Sequence, residues 1–243
     1  MIKINRDFET LARWHKVKIL RNYKLWSLLN KEIKFDKTNE DNFLIFLRDN
    51  IDEVLSDNPV LLERKIINKA NTILGVTYFS ETVSNGKQGA NPKKNIVFIN
   101  KLKTIFDYTK FSNSNQKYSA YDLSDKLNVN VCPYCNRNYI STVNPVKIKQ
   151  KTILSGTRPT LDHFYLKSDY PYLALSFWNL IPSCYSCNTQ FRSTKTFSIF
   201  NNTHPYINSF EKTLCFKTDI VDITDYIGKT KTSFEIDFKE DST

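Results

Sequence analysis

Residues 159–195 read PTLDHFYLKSDYPYLALSFWNLIPSCYSCNTQFRSTK, and this stretch organises the chain. It carries Asp162 and His163 side by side, then Asn179, then a Cys-x-x-Cys pair, Cys184 and Cys187, followed at once by Asn188. A second pair, Cys132 and Cys135, lies upstream, with 48 residues between Cys135 and Cys184. A two-residue spacing lets one turn point both thiolates at one ion, and two such pairs make a tetrahedral four-thiolate zinc site. Such a site has no open coordination position, so the expected Zn²⁺ is structural. The long insert implies that the metal pins an interposed element against whatever follows Cys187.

Composition is consistent with that reading. The 243 residues are 40% hydrophobic and 14% aromatic, which is globular rather than disordered. No run of about 18 apolar residues exists, so no membrane span is expected. The first residues, MIKINRDFETLARWHK, lack the apolar core of a signal peptide, which predicts a cytoplasmic protein. Thiols stay reduced there, which favours metal binding over disulfides for the paired cysteines. Cys215 stands alone and reads as a small core or strand residue.

The formal charge of +10 is unevenly placed. Residues 1–131 carry net +7, residues 132–204 net +6 and residues 205–243 net −3. The middle segment has two acids, Asp162 and Asp169, against eight cations. A basic region nearly free of acids suits a polyanion, because Lys and Arg displace counterions from phosphates. A solvated basic surface is the competing explanation.

Outward from this segment the pattern is helical on one side and strand-like on the other. Apolar residues from Phe8 to Leu29 predict one helix over 6–33, with a solvated cationic face and a structural His15. Thr38-Asn39-Glu40-Asp41 reads as a capped helix start. Pro59 begins another helix that Gly75 ends, and residues 84–94 read as an exposed loop. Helical spacing resumes over 96–111 and again over Ala120–Leu127. Tyr139–Val143 and Val146–Leu154 alternate as strands do, and residues 155–159 read as a turn. The tail, 213–238, reads as a small antiparallel appendage. The fold class is therefore α+β in three parts. A mostly helical region (1–131) offers partner docking or nucleic-acid support, a zinc-stapled domain (132–204) follows, and a β-rich acidic tail (205–243) ends the chain.

Polar residues in the central domain suggest chemistry. Asp162-His163 is predicted to end one strand, Phe177–Ser183 to form the return strand carrying Asn179, and residues 185–192 to start a helix bearing Asn188. Phosphodiester hydrolysis needs a divalent cation to polarise phosphate and a base to activate water. Asp162 and Asn188 supply the hard oxygens that suit Mg²⁺ or Mn²⁺. His163 is largely neutral at pH 7 and can take a proton. Asn179 can bond across the hairpin and fix the loop that presents His163.

At these residues the chain resembles the HNH, or ββα-metal, endonucleases of the zinc-bound subgroup. The resemblance covers roughly residues 132–195. It implies His163 as general base, Asn179 as positioning residue, and Asp162 and Asn188 as ligands of one catalytic Mg²⁺ or Mn²⁺. The last position is Asn rather than the His often found there. The wording VCPYCNRNYI followed by LDHFYLKSDYPYLALSFWNLIPSCYSCN is similar to the HNH subunits of Septu-type and retron-associated antiphage systems. That similarity implies a defence role beside an ABC/SMC-like ATPase, with a retron reverse transcriptase and its RNA–DNA product as further partners. Arg192 and Lys195, and more weakly Arg137 and Lys167, are candidate contacts to a nucleic-acid backbone. His204 reads as structural rather than as a late catalytic residue. The alternative to an enzyme is a catalytically silent zinc-stapled module that binds nucleic acid or a partner.

Overall fold

The helical spacing of the first thirty residues folds as two helices, not one. α1 (Phe8–Tyr23) and α2 (Leu25–Glu32) are separated by Lys24, whose backbone is left-handed at φ 51° and ψ 35°. That single residue ends the first rod. Both helices then bury their apolar stripes, Ala12 and Ile19 from α1 and Leu25 and Leu29 from α2. The structure, a computed structural model, describes residues 3–76, 78–79, 92–148, 151–192, 195–209, 214–218 and 236–240.

The next elements follow their punctuation. Thr38 caps α3 (Asn39–Asp49), its hydroxyl accepting from the Asp41 amide at 3.2 Å. α4 (Ile51–Ser56) precedes α5 (Pro59–Leu61), which Asn58 caps. The chain continues through a π-helical stretch, Leu62–Ile67, into α6 (Asn68–Leu74). Gly75, at φ 99°, then ends the helical run in a backbone region that disfavours a Cβ. α7 (Pro92–Ile105) begins four residues before the expected Ile96, because proline fits a first helical turn that needs no N–H donor. Residues 84–91 of the expected loop lie outside the described residues. A short α8 (Tyr108–Ser112) follows, capped by Asp107, and then α9 (Ala120–Leu127) with a Ser119/Asp122 capping box.

Three separate two-stranded antiparallel ladders make up the strands among the described residues. β1 (Val146–Ile148) pairs β2 (Lys151–Leu154), and β3 (Thr160–His163) pairs β4 (Leu180–Ser183). β5 (Leu214–Thr218), which holds Cys215, pairs β6 (Ile236–Glu240), as the tail pattern predicts. The expected run Ile220–Ile223 lies outside the described residues. The expected strand Tyr139–Val143 reduces to isolated bridges, Val131 with Tyr139 and Val143 with Thr157. Its backbone instead closes the first cysteine turn: Cys132 donates to the Asn138 carbonyl and Ile140 to that of Asn130, both at 2.9 Å. The return strand also begins later than expected. Phe177–Asn179 forms a 3₁₀ turn, and pairing starts at Leu180.

One apolar core joins the helices to the β3–β4 connection. Phe43, Leu102 and Phe111 of the helical region share it with Phe164, Tyr172 and Phe177. Polar ties cross the same contact: the Trp178 indole donates to the Ser56 carbonyl at 3.0 Å and the Tyr165 hydroxyl to Glu63 at 2.9 Å. The predicted boundary between residues 131 and 132 thus divides chain segments that pack together. Among the described residues no helix is long and apolar enough to cross a membrane.

Two buried histidines serve this packing. His15 Nε2 faces the Leu175 carbonyl at 2.8 Å, and its Nδ1 meets the Tyr118 hydroxyl at 2.6 Å. His204 Nε2 faces the Trp178 carbonyl at 2.8 Å, and its Nδ1 accepts from the Tyr206 amide at 3.2 Å. A carbonyl only accepts, so each ring holds its proton on Nε2 and is neutral. Burial lowers both pKa values from 6.5 to about 4, against the opposing pull of the carbonyl bond. Unfolding lets both rings take up protons more readily. Their stabilisation is therefore complete above pH 6.5 and falls as pH drops toward 4. These two rings are expected to contribute up to about 2.7 kcal/mol per pH unit to the slope in that window, with His163, also lowered by burial, adding to it. Denaturant titrations at stepped pH check it, and His15→Gln removes one proton from the slope.

Candidate functional site

Four thiols meet at the end of β4. Cys132 and Cys135 sit on the turn closed by the Asn136 amide, which donates to the Cys132 carbonyl at 2.8 Å. Cys184 follows β4, and Cys187 lies in a π-helical segment, Ser186–Arg192. All four Sγ atoms lie within 4.8 Å of one another, with Cys135 and Cys184 at 4.0 Å. A tetrahedral ion with Zn–S bonds of about 2.3 Å sets its sulfurs about 3.8 Å apart, so this set fits Zn²⁺. The Asn138 amide donates to Cys184 Sγ at 3.2 Å, and the Cys187 N–H points to the same sulfur at 3.4 Å. Burial opposes the Cys184 thiolate, yet these donors outweigh it and its pKa falls to about 7. Such N–H donors around a thiolate support the metal-bound form. Ile140 packs with the cysteines in a small apolar cluster of its own.

The Asp-His pair lies at the end of β3, as the sequence predicts. Asp162 is 3% exposed and His163 8%. Asp162 Oδ2 accepts from the Tyr134 hydroxyl at 2.7 Å and faces Arg192 Nε at 3.5 Å. Burial raises the Asp162 pKa, while the Tyr134 bond and the Arg192 charge hold it down against that rise. His163 Nε2 lies 3.1 Å from the Ala174 carbonyl, which assigns the proton to Nε2 and leaves the lone pair on Nδ1. The Tyr108 ring meets the imidazole edge-on, with centroids 4.5 Å apart. Burial, and to a lesser degree the charges of Lys167 and Arg192, lower the His163 pKa to about 3 against the pull of Ala174. The ring is neutral at physiological pH.

Asn179 closes the loop between the two strands. Its Oδ1 accepts from the Tyr165 amide at 2.6 Å, and its Nδ2 donates to the carbonyls of Tyr165 at 3.1 Å and Leu173 at 2.9 Å. Fully buried, it satisfies three backbone groups with one side chain. This fixes the two ends of the segment that carries Ala174 to His163.

A cleft of about 540 Å³ opens over the pair, and Asp162, His163 and Asn188 all line it. Asn188 is half-buried, its amide N–H bonded to the Cys184 carbonyl at 3.0 Å. Asp162 and Asn188, each with a side-chain oxygen, thus line one space. Of the four predicted backbone contacts, Lys167 lines the cleft, while Arg137 and Lys195 are exposed away from its lining. Arg192 corrects its expectation. It is buried, its Nη2 donates to the carbonyls of His163 at 3.3 Å and Phe164 at 2.8 Å, and its guanidinium lies 3.6 Å over the Phe197 ring. It braces the strand end from inside, because the buried Asp162 carboxylate requires a cation nearby.

Sequence reasoning missed Tyr134, Tyr108, Lys103 and Arg158. Tyr134 carried a signal, since a tyrosine between two metal ligands is held as firmly as they are. Lys103 and Arg158 carried none, because their meeting in the cleft is set by distant packing. No protein-family model, curated protein or solved structure matches this chain.

Removing zinc with a chelator is expected to release residues 132–140 and 184–192 to fast hydrogen exchange and to lower Tm. An unchanged Tm after verified metal removal would refute a structural site. Tyr134→Phe leaves Asp162 Oδ2 with Arg192 alone and is expected to destabilise by about 1–3 kcal/mol in urea, with zinc content unchanged.

Proposed function

We propose that this chain is a metal-dependent nuclease of the HNH type that hydrolyses phosphodiester bonds in nucleic acid. The observation that carries the reading is the shared cleft: the Asp162-His163 pair and Asn188, 25 residues further on, line one space, and Asn188 directly follows Cys187 of the four-thiol cluster. The antiparallel β3–β4 pair followed by the helical segment Ser186–Arg192 supports it, since this is the strand, strand, helix order the resemblance implies. A divalent cation held by Asp162 and Asn188 would polarise the phosphate and stabilise the leaving oxygen. The chain's own residues do the rest. His163 is held by Ala174 as the Nε2–H tautomer, so Nδ1 is the atom that takes a proton from water. Asn179 keeps Ala174 and His163 in register, and the Tyr108 ring packs against the imidazole in a T-shaped contact.

The resemblance of VCPYCNRNYI and of the later cysteine segment to Septu-type and retron-associated subunits supports an effector role in antiphage defence. In that reading an ABC/SMC-like ATPase controls cleavage, the helical region offers it a docking surface, and a retron reverse transcriptase with its RNA–DNA product completes the assembly. DNA is the first-choice target, with tRNA or another RNA the alternative.

The test is cleavage of supercoiled plasmid, single-stranded DNA and total tRNA with Mg²⁺ or Mn²⁺, with and without the candidate ATPase. Cleavage by the wild-type chain is expected to fall by about 10²-fold or more in His163→Ala. Folded, zinc-loaded protein that cuts nothing in any arm would point instead to the silent binding module.

A further inference from the structure

The cleft carries a feature that the proposed catalytic residues do not use. Three cations line it: Lys103 from α7, Arg158 just before β3, and Lys167 in the loop after β3. None of them forms an ion pair among the described residues, whereas Lys16, Arg48 and Lys101 pair with Asp52, Asp49 and Glu32. Asp162 is the one acid among the described lining residues, and its Oδ2 is already engaged. Unpaired positive charge facing a cleft is an unsatisfied electrostatic arrangement that an anion would satisfy.

Two of the cations are held in place. The Arg158 guanidinium donates to the carbonyls of Pro159 at 2.8 Å and Ser112 at 3.5 Å, and lies 5.4 Å from the Tyr121 ring. Lys167 Nζ sits 4.9 Å over the Tyr108 ring, the same ring that packs edge-on against His163. One aromatic side chain therefore places a cation and the proposed base on two of its sides. Protein packed around the Lys167 ammonium, and next the charge of Lys103, lower its pKa, so the two lysines feel one another across the cleft.

Resting on the nuclease reading of this cleft, we propose that Lys103, Arg158 and Lys167 form a wall that binds the phosphate backbone of a single nucleic-acid strand. Cations spread over three elements suit successive phosphates better than one isolated anion. The preference for a single strand follows from burial. Asp162 and His163 are almost wholly buried although they line the cleft, with Tyr108 packed against the imidazole and Lys167 over the Tyr108 ring, so little of either is open to a rigid surface. A duplex keeps its phosphates on a stiff outer surface and cannot bring one to that pair without unpairing. A single strand bends at low cost and follows a basic groove with little regard to sequence. The helical region thereby supplies part of the substrate site through Lys103 and Tyr108.

The experiment is fluorescence anisotropy with the full zinc-loaded chain and no added Mg²⁺ or Mn²⁺, so that binding is read without cleavage. The probes are a labelled oligonucleotide of about 20 nucleotides and its duplex. The single strand is expected to bind about tenfold tighter or more. Lys103→Gln with Lys167→Gln is expected to weaken it and to flatten the log–log salt slope by about 1.4, as two lost phosphate contacts require. Lys103→Arg with Lys167→Arg is expected to restore most of the affinity. Equal or tighter duplex binding overturns the proposal. So does unchanged affinity in the double Gln variant, an equal loss from the exposed pair Arg137→Gln with Lys195→Gln, or displacement of the strand by equimolar inorganic phosphate. Because no step is catalytic, a chain that never cleaves yet binds as expected loses the nuclease reading and keeps this wall. A chain that cleaves but binds duplex equally loses only the wall.

Discussion

One carboxylate oxygen, Asp162 Oδ2, ties the four-thiol cluster to the cleft. Tyr134, inside the first cysteine turn, donates to it at 2.7 Å, and Arg192, five residues beyond Cys187, faces it at 3.5 Å. Each cysteine pair thus sends one side chain to the same atom. A carboxylate this buried would take up a proton without such partners. Burial does push its pKa up, and these two groups oppose the push. The ion that fits among the four thiols would fix where both partners stand. A metal with no open coordination position can therefore govern the charge of a residue that never touches it.

The segment between Leu173 and Trp178 is the second constraint. The chain has three histidines, and all three place Nε2 against carbonyls here, those of Leu175, Ala174 and Trp178. Asn179 adds a bond to Leu173, and the Trp178 indole reaches Ser56 in the helical region. His15 belongs to α1 and His204 to the chain beyond the cleft, so remote parts of the sequence meet on six residues. The helical region is for this reason part of the site's foundation. Without it His15 would leave the Leu175 carbonyl, and the apolar side of Phe177 and Tyr172 would lose its cover.

What the sequence revealed and what it hid follow from the range of the forces involved. Cysteine spacing, the Thr38 cap, the helix over Ala120–Leu127 and the end of β3 at His163 are local patterns, and the structure repeats them. The break at Lys24 was hidden because helical periodicity continues across it and only packing needs the bend. Tyr139–Val143 has strand-forming residues, but Tyr139 is 87% exposed and among the described residues the stretch makes only isolated bridges, to Val131 and Thr157. Arg192 was misread for a related reason. Beside Asn188 in sequence it looks like a groove cation, and nothing local shows that Asp162 and Phe197 enclose it.

The chain's net charge of +10 accordingly divides into groups with different physical roles. Arg192 is an internal cation, matched to one carboxylate and to the backbone of the strand end. Lys16, Arg48 and Lys101 sit in surface pairs, which contribute little to stability. Lys103, Arg158 and Lys167 form no ion pair among the described residues and line a shared space. A uniform basic coat would attract a polyanion without orienting it. Here the inner cation stabilises the charge on Asp162, while the other three line the same cleft. That separation would let one cleft keep an anionic residue in its lining and still attract the anionic strand proposed above.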